Sequence, residues 1–317
     1  MNGGINDMKV AVFGTGGVGA YFGGRLALAG AEVHLIARGA HLEALRTSGL
    51  RVRSTKGDFQ VELPATDDTS QVGPCDYVLF SVKTFDTDDA IARLSPLIAD
   101  ETAIISFQNG VDSEERISSA VGRYHVMGGA AYIFSGIVEP GVVSHTGGPA
   151  RVVFGEMDGS RSQRAESFLD ICRRAGIDAE LSEEIHRVLW DKFAFICAQA
   201  GLTSAVRLPI GDVRAVDETW TAFKSVIEEV RAVAAAEGIE LPSDTADRHA
   251  SFAEGLEPTG YSSLYDDLTN GRRMELESLH GTVVRRAQLH GVSVPVSETI
   301  YAILKPWAIR NEAAAGS

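Results

Sequence analysis

The sequence predicts a doubly wound α/β domain on a parallel sheet, followed by an all-helical domain. From residue 10 to about 181, short β-branched and aromatic runs alternate with helical stretches. That pattern belongs to a parallel sheet covered by helices on both faces. Residues 10–19 read V-A-V-F-G-T-G-G-V-G, a strand running through a glycine turn into a helix. Beyond residue 181 helical periodicity meets no competing strand pattern.

Taken in order, strands are expected at 10–13, 32–37, 77–82, 103–107, 126–130 and 151–154, and helices at 20–29, 87–97, 113–121 and 161–175. Gly30 and Gly176 stand where helix C-caps belong. In the second half, apolar residues at 220, 223, 226, 227, 230, 233 and 234, closed by Gly238, mark one helix. A second is expected at 274–290, with Leu276, Leu279, Val283, Val284 and Ala287 inward and Gly291 as its stop. The uncharged run 193–206, which contains Gln199, is too short to span a bilayer and reads as a buried helix. The expected division is 8–181 for a nucleotide-binding domain and 182–317 for a helical substrate and catalytic domain. Residues 1–7 read as a disordered lead-in without signal-peptide character, and 313–317 as a frayed end.

A 317-residue chain with 44% hydrophobic and 23% charged residues can bury a sizeable core. Its net charge of -14 argues against nucleic acid or an anionic membrane as partner. The three cysteines, Cys75, Cys172 and Cys197, lack CxxC or metal-ligand spacing and read as buried thiols of a reducing cytoplasm. The eight histidines show no metal spacing, so no metal is expected. His186, His280 and His290 read as helix-surface residues. The helical domain has enough apolar surface for a homodimer, with no seam specified.

In a G-x-G-x-x-G turn, the first glycine permits the bend and the second lets backbone approach a pyrophosphate. The third lets the helix pack on the strand, and the free N–H groups of the helix N-terminus then hold the phosphates. Gly14, Thr15, Gly16, Gly17, Val18 and Gly19 are therefore assigned to a dinucleotide. An NAD site usually places a carboxylate at the end of the second strand, for the ribose 2′-hydroxyl. Here that strand ends in Arg38, with no carboxylate beside it to repel a 2′-phosphate, and Glu32 comes too early. NADP (as NADPH) is the expected cofactor.

Further motifs follow in order: S-V-K-T at 81–84, Q-N-G at 108–110, P-G-V-V-S-H-T-G at 140–147, W-D-K at 190–192, and S-S-L…E from Ser262 to Glu275. With the glycine turn, they resemble the ketopantoate reductase (2-dehydropantoate 2-reductase) family over nearly the whole chain. The resemblance implies a Rossmann domain, a helical C-terminal domain, and NADPH reduction of a 2-oxo acid in the cleft between them, a step of pantothenate biosynthesis. It makes Lys192 the catalytic lysine and Glu275 the active-site glutamate. Asn109 would meet nicotinamide and substrate, Ser263 the substrate, and Lys83 and Arg38 the cofactor; Ile133 falls where backbone meets NADP.

Reduction of a ketone needs hydride at carbon and a proton at oxygen. A lysine whose partial burial brings its pKa toward working pH can donate that proton and stabilise the oxyanion. Glu275, expected to flank the apolar stripe of its helix, can hold it in place; Asn109 can orient ring or substrate, and Ser263 can bond a carboxylate. The family carries three substrate-contacting asparagines where this chain has Ile196, Ala200 and Ile210. Gln199 and Thr203, seven and eleven residues beyond Lys192, lie near its helical face and offer partial replacement. A substrate bulkier or more apolar than ketopantoate is expected. Two other readings stay open: an NAD-dependent D-2-hydroxy acid dehydrogenase with a hydrophobic substrate, and a non-catalytic NADP-binding regulator.

Overall fold

The computed structural model describes residues 8–315, so the expected lead-in at 1–7 and the last two residues lie outside the described part. Two compact units divide the chain: Met1–Gln108 with Ser113–Ile185, and Asn109–Asp112 with His186–Ser317. The short segment Asn109–Asp112 thus goes with the helical unit.

The first unit runs β1 (Lys9–Phe13), α1 (Gly17–Leu28), β2 (Glu32–Ile36), α2 (Gly39–Ser48), β3 (Leu50–Ser54), β4 (Phe59–Val61), β5 (Ala65–Thr66), β6 (Tyr77–Phe80), α3 (Thr87–Ile91), β7 (Ala103–Ser106), α4 (Ser113–Val121), β8 (Val126–Glu139), β9 (Val142–Glu156), α5 (Gln163–Arg174) and β10 (Asp178–Leu181). The sheet order is β4-β3-β9-β8-β7-β6-β1-β2-β5, with β10 on β9. The centre, β7-β6-β1-β2, is parallel as expected. Its strands are apolar throughout because both faces are covered. Val10, Val12 and Leu79 pack into one core with Phe22 and Phe168, while Ala11, Phe13 and Phe80 pack into another with Leu94 and Ile117.

Three expectations need correction. The strands expected at 126–130 and 151–154 are the ends of one long antiparallel hairpin, β8 with β9, so the sheet is mixed. A turn at Pro140 and Gly141 joins them, Gly141 adopting φ 77°. The helix expected at 87–97 breaks after Ile91 and resumes as a 3₁₀ turn, Ser95–Leu97, because Pro96 has no N–H to offer the Ala92 carbonyl and its ring crowds that carbonyl. Strands β4, β5 and β10 are absent from the expected set because they are short or edge-lying, and β3 because it alternates buried Leu50 and Val52 with exposed arginines instead of running apolar throughout.

The second unit contains α6 (Ile185–Val206, its first residue in the other unit), α7 (Ile210–Arg214), α8 (Asp217–Ala236), α9 (Thr245–Glu254), α10 (Ser263–Thr269), α11 (Thr282–His290) and α12 (Pro295–Ala315). Among its described residues there is no strand. Phe193, Cys197, Phe223, Val230, Val283 and Leu304 share its core. Each such side chain contributes roughly 1.5–3 kcal/mol by leaving water. The expected fraying at 313–317 is not seen at residues 313–315, which close α12. No helix of the described residues is long and apolar enough to cross a membrane. All three cysteines are buried and unbridged, and burial pushes the Cys75 thiol up to about 11.

The helix expected at 274–290 is interrupted: Glu275 lies in a turn, Glu277–Gly281 forms a π-helical turn, and α11 follows. That extra residue per turn swings His280 inward. His280 is therefore wholly buried instead of lying on a helix surface, and its Nε2–H donates to the Cys197 carbonyl at 3.0 Å. Gly201 makes the room, since a Cβ there would collide with the imidazole. Burial lowers the His280 pKa to about 4. The unfolded chain binds this proton first as pH falls, so stability is full above about 6.5 and lost toward pH 4, by roughly 1.4 kcal/mol per pH unit. Urea midpoints measured from pH 7 to 4.5 test this: His280→Gln flattens the decline relative to wild type, and identical slopes contradict it.

Candidate active site

Parallel packing brings the C-terminal ends of β1, β2 and β6 side by side, and residues 14–19, Arg38 and Lys83 follow those ends, whereas Asn109 follows β7 and belongs to the helical unit. Gly14 turns the chain at φ 98°, where a Cβ would lie 2.5 Å from the Val82 nitrogen. Thr15 Oγ1 and the Gly14 N–H both donate to the Ile36 carbonyl, at 3.0 and 3.2 Å, tying the turn to β2. Ser81 Oγ donates to the Gly14 carbonyl at 2.9 Å, tying it to β6. At Gly19 a Cβ would strike the Gly14 carbonyl and Ser81 Oγ. At Gly16, by contrast, it would meet nothing within 4 Å. Gly17 and Val18 open α1, whose first turn carries no acidic residue. The cradle is closed toward the sheet and open at its middle glycine, the shape a pyrophosphate needs.

Lys83 is exposed and caps a 3₁₀ turn, Thr84–Asp86, that follows β6. Arg38 is extended at the start of α2, its side chain 72% exposed. It is not without a carboxylate neighbour, however: its guanidinium pairs with Asp86. Sequence order concealed that partner, because it arrives from the loop after β6 and not from β2.

The helical unit carries the residues expected to act in catalysis. Lys192 lies half-buried on α6, flanked in sequence by buried Trp190 and Phe193, and its Nζ donates to Asn109 Oδ1 at 3.3 Å. The residues just after Asn109 hold it in place. Gly110 adopts φ 106°, where a Cβ would come within 3.0 Å of the Ser278 carbonyl. Asp112 then accepts from Thr282 Oγ1 at 2.6 Å and from Arg286 Nε and Nη2 at 3.0 and 2.7 Å. Arg286 also pairs with Glu237 at 2.9 Å and lies over the Trp190 ring. One guanidinium thus joins the Asn109 segment, α8 and the helix of Lys192. Nothing in sequence singled out Asp112 or Arg286.

Glu275 is 7% exposed, and its carbonyl accepts from Ser278 Oγ at 3.0 Å. Ser263 is the exposed first residue of α10, whose cap is Ser262. Thr203 Oγ1 donates to the Gln199 carbonyl at 2.7 Å and bonds Ser262 Oγ at 3.1 Å, so this hydroxyl is already engaged in structure. Gln199 is buried one turn before it. Ala200 and Ile210 belong to the apolar core and Ile196 packs against it. Asp112→Ala removes an acceptor shared by Thr282 and Arg286 and should cost about 1–3 kcal/mol, read as a lower urea midpoint; an unchanged midpoint would show the clamp to be dispensable.

Known proteins share this architecture over nearly the whole chain. It matches Ketopantoate reductase PanE/ApbA over residues 10–159 and the C-terminal region of the same family over 184–308. An uncharacterized oxidoreductase of Bacillus subtilis is 33% identical over 302 residues, covering 94% of this chain and 98% of the relative. The crystal structure of a PanE/ApbA family ketopantoate reductase from Ralstonia eutropha superposes with a TM-score of 0.88 at 34% identity, covering 96% and 100% of the two chains. A D-mandelate dehydrogenase with NADH and anilino(oxo)acetate gives a TM-score of 0.89 over 96% and 99% of the chains, but at 22% identity it speaks for the fold alone. The chain belongs to the ketopantoate reductase family and is an oxidoreductase of that family.

Proposed function

We propose that the chain reduces a 2-oxo acid to the 2-hydroxy acid with NADPH, Lys192 giving the proton to the carbonyl oxygen. The observation that carries this reading is the Lys192 ammonium, partly desolvated on an apolar stretch of α6 and held by the Asn109 amide oxygen. An amide oxygen orients an ammonium without itself carrying a charge, and an ammonium so placed stabilises a developing alkoxide.

The open cradle at Gly16, the α1 N-terminus and the exposed guanidinium of Arg38 suit a dinucleotide phosphate. NADPH, when bound, supplies the hydride. Gly14, Thr15, Gly16, Gly17, Val18 and Gly19 would hold its pyrophosphate, with Arg38 and Lys83 toward its phosphates. Asn109 would orient both nicotinamide and substrate. Lys192 donates the proton and stabilises the oxyanion; Glu275, largely shielded from water, would position it. Ser263 and Gln199 would meet the substrate's polar end.

Ala200 and Ile210 are core residues, so the family's asparagine positions offer a hydroxylated side chain no partner. A buried hydroxyl without one costs a few kcal/mol. The substrate is therefore a branched or aromatic 2-oxo acid more apolar than ketopantoate. NADPH-oxidation kinetics across ketopantoate, branched and aromatic 2-oxo acids test this. The apolar acids should show the higher kcat/KM; a marked preference for ketopantoate contradicts it. Lys192→Ala should lower kcat about 10²–10⁴-fold while NADPH binding, followed by fluorescence, persists. Equal turnover by mutant and wild type would refute the role of Lys192.

A further inference from the structure

We infer that Asp86 sets the choice between NADPH and NADH, weakening the hold of Arg38 on a 2′-phosphate and serving as acceptor for a ribose 2′-hydroxyl. The inference rests on the cofactor reading above and deepens it. β1 lies between β2 and β6 in the sheet. Arg38 follows β2 and Asp86 follows β6, so their ion pair spans the C-terminal end of β1, where the glycine turn begins. The adenosine end of a dinucleotide cradled by that turn must meet this pair.

The two partners are held to different degrees. Arg38 is 72% exposed and Asp86 only 14%. The Asp86 backbone N–H donates to the Lys83 carbonyl at 2.9 Å, which fixes the turn that carries it. An incoming ligand can therefore redirect the arginine, while the carboxylate stays. A 2′-phosphate would share the guanidinium with a fixed negative charge, and like charges at close range oppose each other. A 2′-hydroxyl would instead find an acceptor of the kind that NAD sites place at the end of their second strand. Of the next carboxylates, Asp88 and Asp89 in the first turn of α3, Asp88 is taken by Arg116 at 2.6 Å.

The consequence is weak discrimination: wild type should bind NADPH no more than about tenfold tighter than NADH. Dissociation constants of both nucleotides, measured by fluorescence on the full chain, test this in wild type, Asp86→Asn, Asp86→Ser and Arg38→Ala. Circular dichroism confirms folding, and either folded Asp86 variant decides the matter. Removing the carboxylate should shift the NADPH:NADH affinity ratio about tenfold or more toward NADPH. Arg38→Ala should shift it toward NADH. A ratio within about twofold of wild type in the Asp86 variants, with NADPH still bound and Arg38→Ala still weakening it, overturns this inference alone. Failure of wild type to bind either nucleotide overturns the cofactor reading and this inference together. Unfolding of both Asp86 variants would place the carboxylate in the scaffold and overturn it as well.

Discussion

Close packing of α1 on the buried strand β1 is the constraint on which the nucleotide side depends. The helix can approach only because Gly19 lies against Ser81 and Val12, and Gly23 against Val12 again. That approach aims the α1 N-terminus along the axis of the glycine turn, toward the C-terminal ends of the parallel strands. Hydrogen bonds from Gly14 and Thr15 to Ile36, and from Ser81 to Gly14, then stitch three neighbouring strand ends into one rim. Any Cβ at position 19 would push the helix off the strand, and the rim would open with it.

The helical unit solves a different problem, that of placing an amide oxygen firmly enough to fix a cation. Asn109 belongs to a segment of four residues, too short to hold itself. It is fixed instead through Asp112 and the forked guanidinium of Arg286, with the Trp190 face beneath. Two of the guanidinium N–H groups converge on Asp112 Oδ1 while the Thr282 hydroxyl holds Oδ2, so both carboxylate oxygens are fixed. Trp190 and Lys192 share α6, so the clamp that orients the asparagine also braces the helix that carries the lysine.

Much of this was legible in the sequence because its signals are local. Continuous apolar runs marked the central strands, glycine spacing marked the turn, and apolar residues at helical spacing marked α8. Family motifs named Lys192 and Asn109, which the structure brings to 3.3 Å. What escaped were partnerships between distant residues. Asp86 stands 48 residues from Arg38, and Asp112 stands 174 from Arg286. No periodicity links such pairs; only strand order and helix packing do. His280 escaped for a related reason, since the π turn that rotates it inward breaks the 3.6-residue period from which a surface position was read. The β8–β9 hairpin was hidden because its inner ends look like ordinary buried strands.

The central claim is that the chain transfers a hydride from NADPH to a 2-oxo acid. It is tested most directly by incubating the protein with a branched 2-oxo acid and NADPH deuterated at C4, using each of the two C4 diastereomers in turn. Mass spectrometry of the product should find deuterium at C2 of the 2-hydroxy acid from one diastereomer and not the other. Absence of the 2-hydroxy acid, or a product without deuterium from either, would contradict the account.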